Sequence, residues 1–165
     1  MTGMKDVRPA RHEDASVLAT IHTAARLEAM PHLPQLHSEA ATEKWFRDVV
    51  LLRDEVHVAE EDAQVVAFVA LGPDTVEQLY VLPGHQGRGI GSSLLELAKR
   101  RRPDGFRLYV FQRNVGARRF YERHGLRLAT LGDGSGNEEG EPDAVYEWRP
   151  VNPAWLGRAS RRGAP

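Results

Sequence analysis

The sequence predicts an α/β (α+β) domain: a mixed, mostly antiparallel sheet with helices on both faces. Three observations carry that reading. The strand-like runs Glu55 to Glu60, Val65 to Leu71 and Thr75 to Leu82 follow one another across short turns, as a meander does. The chain then alternates strand, helix, strand, helix and strand as far as Trp148, which calls for crossovers over the sheet. Its 165 residues, 41% of them hydrophobic, suffice for one domain with a sizeable core.

Taken in order, Lys5 to Pro9 is a short first strand. Asp14 stands where a cap would start a helix whose apolar residues, Val17, Leu18, Ile21, Ala24 and Ala25, recur three and four apart. Met30 to His37, with two prolines and two histidines, is a loop. Ser38 caps a second helix with Trp45, Phe46, Val49 and Leu52 as its apolar stripe. The meander follows, turning at Glu61 to Gln64 and at Gly72-Pro73-Asp74.

The next helix, Gly89 to Arg102, is expected to bury Ile90, Leu94, Leu97 and Ala98, and it stops at Pro103 behind four basic residues. Phe106 to Phe111 is a strand. Asn114 caps a helix through Val115, Phe120 and Tyr121 that ends at Gly125. Leu126 to Leu131 and Ala144 to Trp148 are strands on either side of a polar, glycine-rich loop. The organisation expected is one domain over residues 1–150 and a disordered tail over 151–165.

Composition excludes several functions. The net charge of −1 supplies no basic field for nucleic acid. Cysteine is absent, which removes disulfides, thiolate metal sites and a cysteine nucleophile. Met1 to Ala10 has no apolar segment of a signal peptide, and Val65 to Leu71 is too short to cross a bilayer. The seven histidines show no metal spacing. A soluble cytoplasmic protein with no metal, nucleic-acid or membrane partner is expected, and a homodimer is compatible with the sequence.

One stretch stands out: Gln86-Gly87-Arg88-Gly89-Ile90-Gly91-Ser92, between a strand and a helix start. Glycines at alternate positions allow positive φ and close backbone approach. The helix start aims free N–H groups and a positive dipole end at the same place. Such a joint is a pyrophosphate cradle. It is not a dinucleotide fingerprint, because Leu94 stands where the third glycine belongs, and no Gly-Lys-Ser/Thr makes it a P-loop.

The pattern Gln-x-x-Gly-x-Gly after Val81-Leu82-Pro83 resembles the coenzyme A motif of the GNAT acyltransferases, the general N-acetyltransferase superfamily. A second block is similar to another segment of that family: Leu108-Tyr109-Val110, Asn114, Ala117, Phe120-Tyr121-Glu122 and His124-Gly125-Leu126, with Leu126 in place of the usual aromatic. The resemblance covers Val7 to Trp148. It implies that Gln86, Gly87, Arg88, Gly89, Ile90, Gly91 and Ser92 give backbone N–H groups to the pyrophosphate of acetyl-CoA. It implies that Val81 and Leu82 pair with the pantetheine amides as a strand would, in a gap opened by a bulge. Asn114, on its own a helix cap, becomes a cofactor contact. Tyr121, on its own a core residue, becomes the acid that protonates the departing thiolate.

The chemistry implied is N-acetyl transfer to a primary amine of a small molecule or peptide, by direct attack within a ternary complex. A base must deprotonate an amine whose pKa is about 10.4. A backbone N–H near Val81 must hold the oxyanion. A phenol at about 10 can protonate a thiolate of about 8.5. Glu77 is the candidate base: period two places it on the face of Leu79 and Val81, where apolar neighbours would raise its basicity. An exposed strand-end glutamate is the alternative. His32 and His37 lie in the loop that lines the acceptor pocket in this family. The strand Leu108 to Arg113 lacks the glutamate of some protein N-terminal acetylases. The acidic loop Asn137 to Asp143 either attracts a cationic amine or is simply solvated. The competing reading is a non-catalytic acyl-CoA-binding sensor with the same fold.

Overall fold

The computed structural model describes residues 6–151, so all but Val151 of the expected tail lies outside the described residues. The strands are β1 (Asp6–Pro9), β2 (Glu55–Glu61), β3 (Gln64–Leu71), β4 (Val76–Val81), β5 (Phe106–Phe111), β6 (Arg127–Leu131) and β7 (Asp143–Trp148). The longer helices are α1 (Ala15–Ala29), α2 (Glu39–Trp45), α3 (Ile90–Arg101) and α4 (Val115–Arg123). The order is the one the sequence predicts.

The strands form two antiparallel leaves, β1-β2-β3-β4 and β5-β7-β6. The leaves touch at one parallel bridge, Thr75 to Arg107, where the Arg107 N–H donates to the Asp74 carbonyl at 3.0 Å. Beyond it β4 and β5 part. In the β3–β4 ladder Ala70 faces Gln78 but Leu71 faces Val76, so Glu77 is the extra residue of a bulge.

β3 shows why the two faces matter. It is buried continuously from Val66 to Leu71 because both of its faces are covered. Ala67, Val69 and Leu71 pack with Ile90, Leu94, Leu95 and Ala98 of α3. Phe68 and Ala70 pack with Leu18 and Ile21 of α1 and with Phe46 and Val50. Leu95, rather than the expected Leu97, is fully buried in α3; Leu97 packs at the margin.

Two helix details differ from expectation. Asp14 does not cap α1: its carboxylate binds the Arg8 guanidinium at 2.8 and 3.1 Å and the Arg11 N–H at 2.6 Å. A short 3₁₀ turn, His12–Asp14, therefore precedes α1. The α2 stripe also moves. α2 runs into a π-helical stretch, Phe46–Val50, whose wide turn places residues four apart on one face. Thr42, Phe46 and Val50 are buried, while Trp45, Val49 and Leu52 face outward.

Candidate functional site

The parting of β4 from β5 opens a cleft of about 1370 Å³ through the middle of the molecule. β4 presents its unpaired edge to it. The Leu82 N–H donates to the Val66 carbonyl at 2.8 Å, so Leu82, Tyr80 and Gln78 bond to β3 in alternation. The backbone groups of Leu79 and Val81 then point into the gap. The Leu82 carbonyl accepts the His85 N–H at 3.0 Å, and Leu82 does not line the cleft. The unpaired backbone groups at the cleft are therefore those of Leu79 and Val81, whereas Leu82 is tied back to β3.

The glycine run forms the floor of one end. Gly87 and Gly89 hold φ of 75° and 79°, which glycine adopts without strain, and α3 starts directly after them. Among the described residues, none of the seven backbone N–H groups from Gln86 to Ser92 has a hydrogen-bond partner. Gly91 packs against Phe120; a Cβ there would lie 3.4 Å from its ring. Gln86 Nε2 reaches back to the Val81 carbonyl at 3.4 Å, and the Ile90 side chain is in the core. The Arg88 side chain binds Glu61 at 2.5 Å, with His85 on the same carboxylate at 3.3 Å. Hydrogen bonds with His85, the larger contributor, and with Arg88 hold the Glu61 carboxyl below its usual range. Seven free N–H groups, two left-handed glycines and a helix start suit a diphosphate.

α4 supplies the next pair. Asn114 is the cap expected: its Oδ1 accepts the Ala117 N–H at 3.2 Å, and it also lines the cleft. Tyr121 is buried, between Phe120 and Tyr146, yet it lines the cleft. Among the described residues its hydroxyl makes no hydrogen bond, and the side chain borders the cleft. Burial pushes its pKa well up, and the nearby Tyr80 adds to the shift. Such a phenol keeps its proton at neutral pH, so it can act as an acid and not as a base.

Glu77 lines the cleft from the bulge. It is exposed and accepts the Thr75 O–H at 2.5 Å, so the apolar burial expected of it is absent. The reason is the bulge, which breaks the period-two count between Val76 and Gln78. Sequence reasoning missed Gln78 and Tyr80, the cleft-lining residues on the other face of β4. Gln78 is buried with an unpartnered Oε1. The alternation that marked Leu79 and Val81 would also have marked these two as facing α1.

The other end of the cleft is closed by two loops. Gly132–Pro142 lies against α1 and the loop after it. Arg26 binds Glu139 at 2.5 Å, His37 binds Glu138 at 2.9 Å, and Glu141 meets His32 at 3.4 Å and Arg113 at 3.6 Å. The acidic loop is therefore paired with the loop histidines. Beneath it, His22 sits among Trp45, Phe46 and Tyr80. Burial, helped by Arg26, pushes its imidazole down to about 4, and its Nδ1 has no partner. Among the described residues no His, Asp or Glu group is arranged to hold a metal ion.

Comparison with known proteins accounts for this geometry. The acetyltransferase (GNAT) domain family matches residues 53–127. An uncharacterized N-acetyltransferase of Archaeoglobus fulgidus is 38% identical over 101 residues, 52% of this chain and 68% of that protein. This chain belongs to the GNAT acetyltransferases. The peptidyl-lysine N-acetyltransferase YiaC of Escherichia coli is 31% identical over 83 residues, 50% of this chain and 56% of that protein. Among solved structures, the acetyltransferase yncA of Salmonella typhimurium with acetyl-CoA shares the fold, with a TM-score of 0.67 and 22% identity over 88% of this chain and 93% of that one. The GNAT chain described here is an acyl-CoA-dependent N-acetyltransferase, of a family whose cosubstrate is acetyl-CoA. Among the described residues no helix is long and apolar enough to cross a membrane.

Proposed function

We propose that residues 1–150 form one catalytic domain that acetylates a primary amine of a small molecule or peptide by direct attack in a ternary complex. One observation carries this reading: a protonated, buried tyrosine and a row of free backbone N–H groups open onto the same gap beside an unpaired strand edge. The Gln86–Ser92 N–H groups hold the diphosphate. The edges of Leu79 and Val81 bond the pantetheine amides, which brings the thioester beside β4. Asn114 contacts the same arm.

The amine nitrogen attacks the thioester carbonyl, so a C–N bond forms as the C–S bond breaks. A backbone N–H near Val81 takes the developing oxyanion. Tyr121 gives its proton to the thiolate and recovers one from solvent. The proton lost by the amine leaves through water to Glu77, whose exposure at the bulge suits a relayed transfer. Similarity to YiaC, which is named for peptidyl-lysine, supports an amine on a flexible alkyl stem as the acceptor.

The test is thiol release from acetyl-CoA against amines, amino acids, polyamines, aminoglycosides and a lysine peptide, with the acetylated product identified by mass. Amine-dependent release is expected. Acetyl-CoA binding without release across the panel would return the sensor reading.

A further inference from the structure

The start of α3 and the end of α4 meet in a side-chain pair that the transfer chemistry leaves unused. His124 Nδ1 lies 2.8 Å from the Phe120 carbonyl oxygen, and His124 Nε2 lies 2.8 Å from Ser92 Oγ. A carbonyl only accepts, so Nδ1 carries a proton. In the neutral ring Nε2 can then only accept, and the Ser92 O–H must donate to it. In the imidazolium Nε2 donates to Ser92 Oγ, and the hydroxyl proton turns to another partner. The ring is fixed: its centroid is 4.4 Å from that of Phe120, and Lys99 Nζ donates to the His124 carbonyl at 2.7 Å. Both His124 and Ser92 line the cleft, and the Ser92 N–H is one of the seven without a partner.

We propose that His124 is a positioning residue that sets the direction of the Ser92 hydroxyl, so that the diphosphate-holding turn gains a further donor when the ring takes its second proton. Binding of the diphosphate and uptake of that proton then favour each other by linkage. The charged groups around the pair are Lys99 with its partner Glu96 on α3, and Arg123 on α4. Across the turn stand Arg88 and His85, both on Glu61.

The inference rests on the turn holding the diphosphate, and the test separates the two. Dephospho-CoA, which lacks the 3′-phosphate and its own titration, and pantetheine, which lacks the diphosphate, are titrated calorimetrically at pH 6.0 and 8.0. Dephospho-CoA is expected to bind at least about tenfold more tightly to the unmodified protein at pH 6.0, the effect of one hydrogen bond to a charged group. Pantetheine is expected to bind equally at both. Ser92→Ala, which deletes one hydroxyl, is expected to abolish the pH dependence. No pH dependence in the unmodified protein, or one that survives in Ser92→Ala, overturns the switch alone. Dephospho-CoA binding no better than pantetheine at either pH overturns the turn and the switch with it.

Discussion

The two ends of the cleft are built of different material. The diphosphate end is backbone: consecutive N–H groups set by Gly87, Gly89 and the start of α3. The acceptor end is side chain: Arg26, His32, His37 and Arg113 tied to Glu138, Glu139 and Glu141 across two loops. Backbone contacts depend on φ and on helix direction, so they hold a fixed ligand and tolerate few substitutions. The His37–Glu138 contact is exposed and the other three have a part-buried carboxylate; surface pairs contribute about 1 kcal/mol or less each, so that end can rearrange around different acceptors. Under the function proposed above, the backbone end takes the shared cosubstrate and the side-chain end the variable substrate.

The largest expected effect strikes the backbone end. Gly89→Asp places bulk and negative charge where diphosphate sits, at a φ of 79° that favours glycine. The melting-temperature rise given by acetyl-CoA is expected to vanish. A folded variant that keeps the full rise would remove the turn from the site.

Tyr121 stands between the ends. Tyr121→Phe removes one oxygen, from a hydroxyl that makes no hydrogen bond among the described residues. Stability and acetyl-CoA affinity are expected to hold, while kcat falls about a hundredfold or more. Equal kcat in the two proteins would leave water as the proton donor.

His22 tests the acceptor end. Its folded value of about 4 lies below the ordinary histidine value of about 6.5. Between those values the unfolded chain binds a proton that the folded one refuses, so stability falls as pH drops through that window. The loss is on the order of 3 kcal/mol by pH 4. His22→Phe, with an apolar ring among Trp45, Phe46 and Tyr80, is expected to flatten that part of the profile of melting temperature against pH. An unchanged acid slope would place the titration elsewhere.

The smallest effect is at Asn114. Asn114→Ala is expected to cost about 1 kcal/mol for the lost cap and also to weaken acetyl-CoA binding. Full acetyl-CoA affinity in Asn114→Asp, which keeps the cap, would make the residue a cap only.

The same contrast governs how much the sequence discloses. Gly87, Gly89, Gly91 and the Asn114 cap are local devices, fixed by neighbours within a few residues, and their positions follow from spacing. The order of strands and helices is legible for the same reason. The bulge at Glu77 is not, because it exists only in the pairing of β4 with β3. It turned an expected buried base into an exposed one. The π-helical stretch likewise moved the α2 stripe from Trp45 and Val49 to Thr42 and Val50. The pairing of Glu138, Glu139 and Glu141 with α1 and its following loop joins residues about a hundred positions apart. No periodicity reports such contacts.

The account turns on the seven amides of Gln86 to Ser92, and an amide-resolved NMR titration reads them directly. Adding CoA to ¹⁵N-labelled protein is expected to shift the Gly87 to Ser92 amides most strongly, as each gains a charged acceptor. Pantetheine is expected to leave them in place while moving Leu79 and Val81. Resonances of the turn that stay fixed when CoA binds would contradict the central claim.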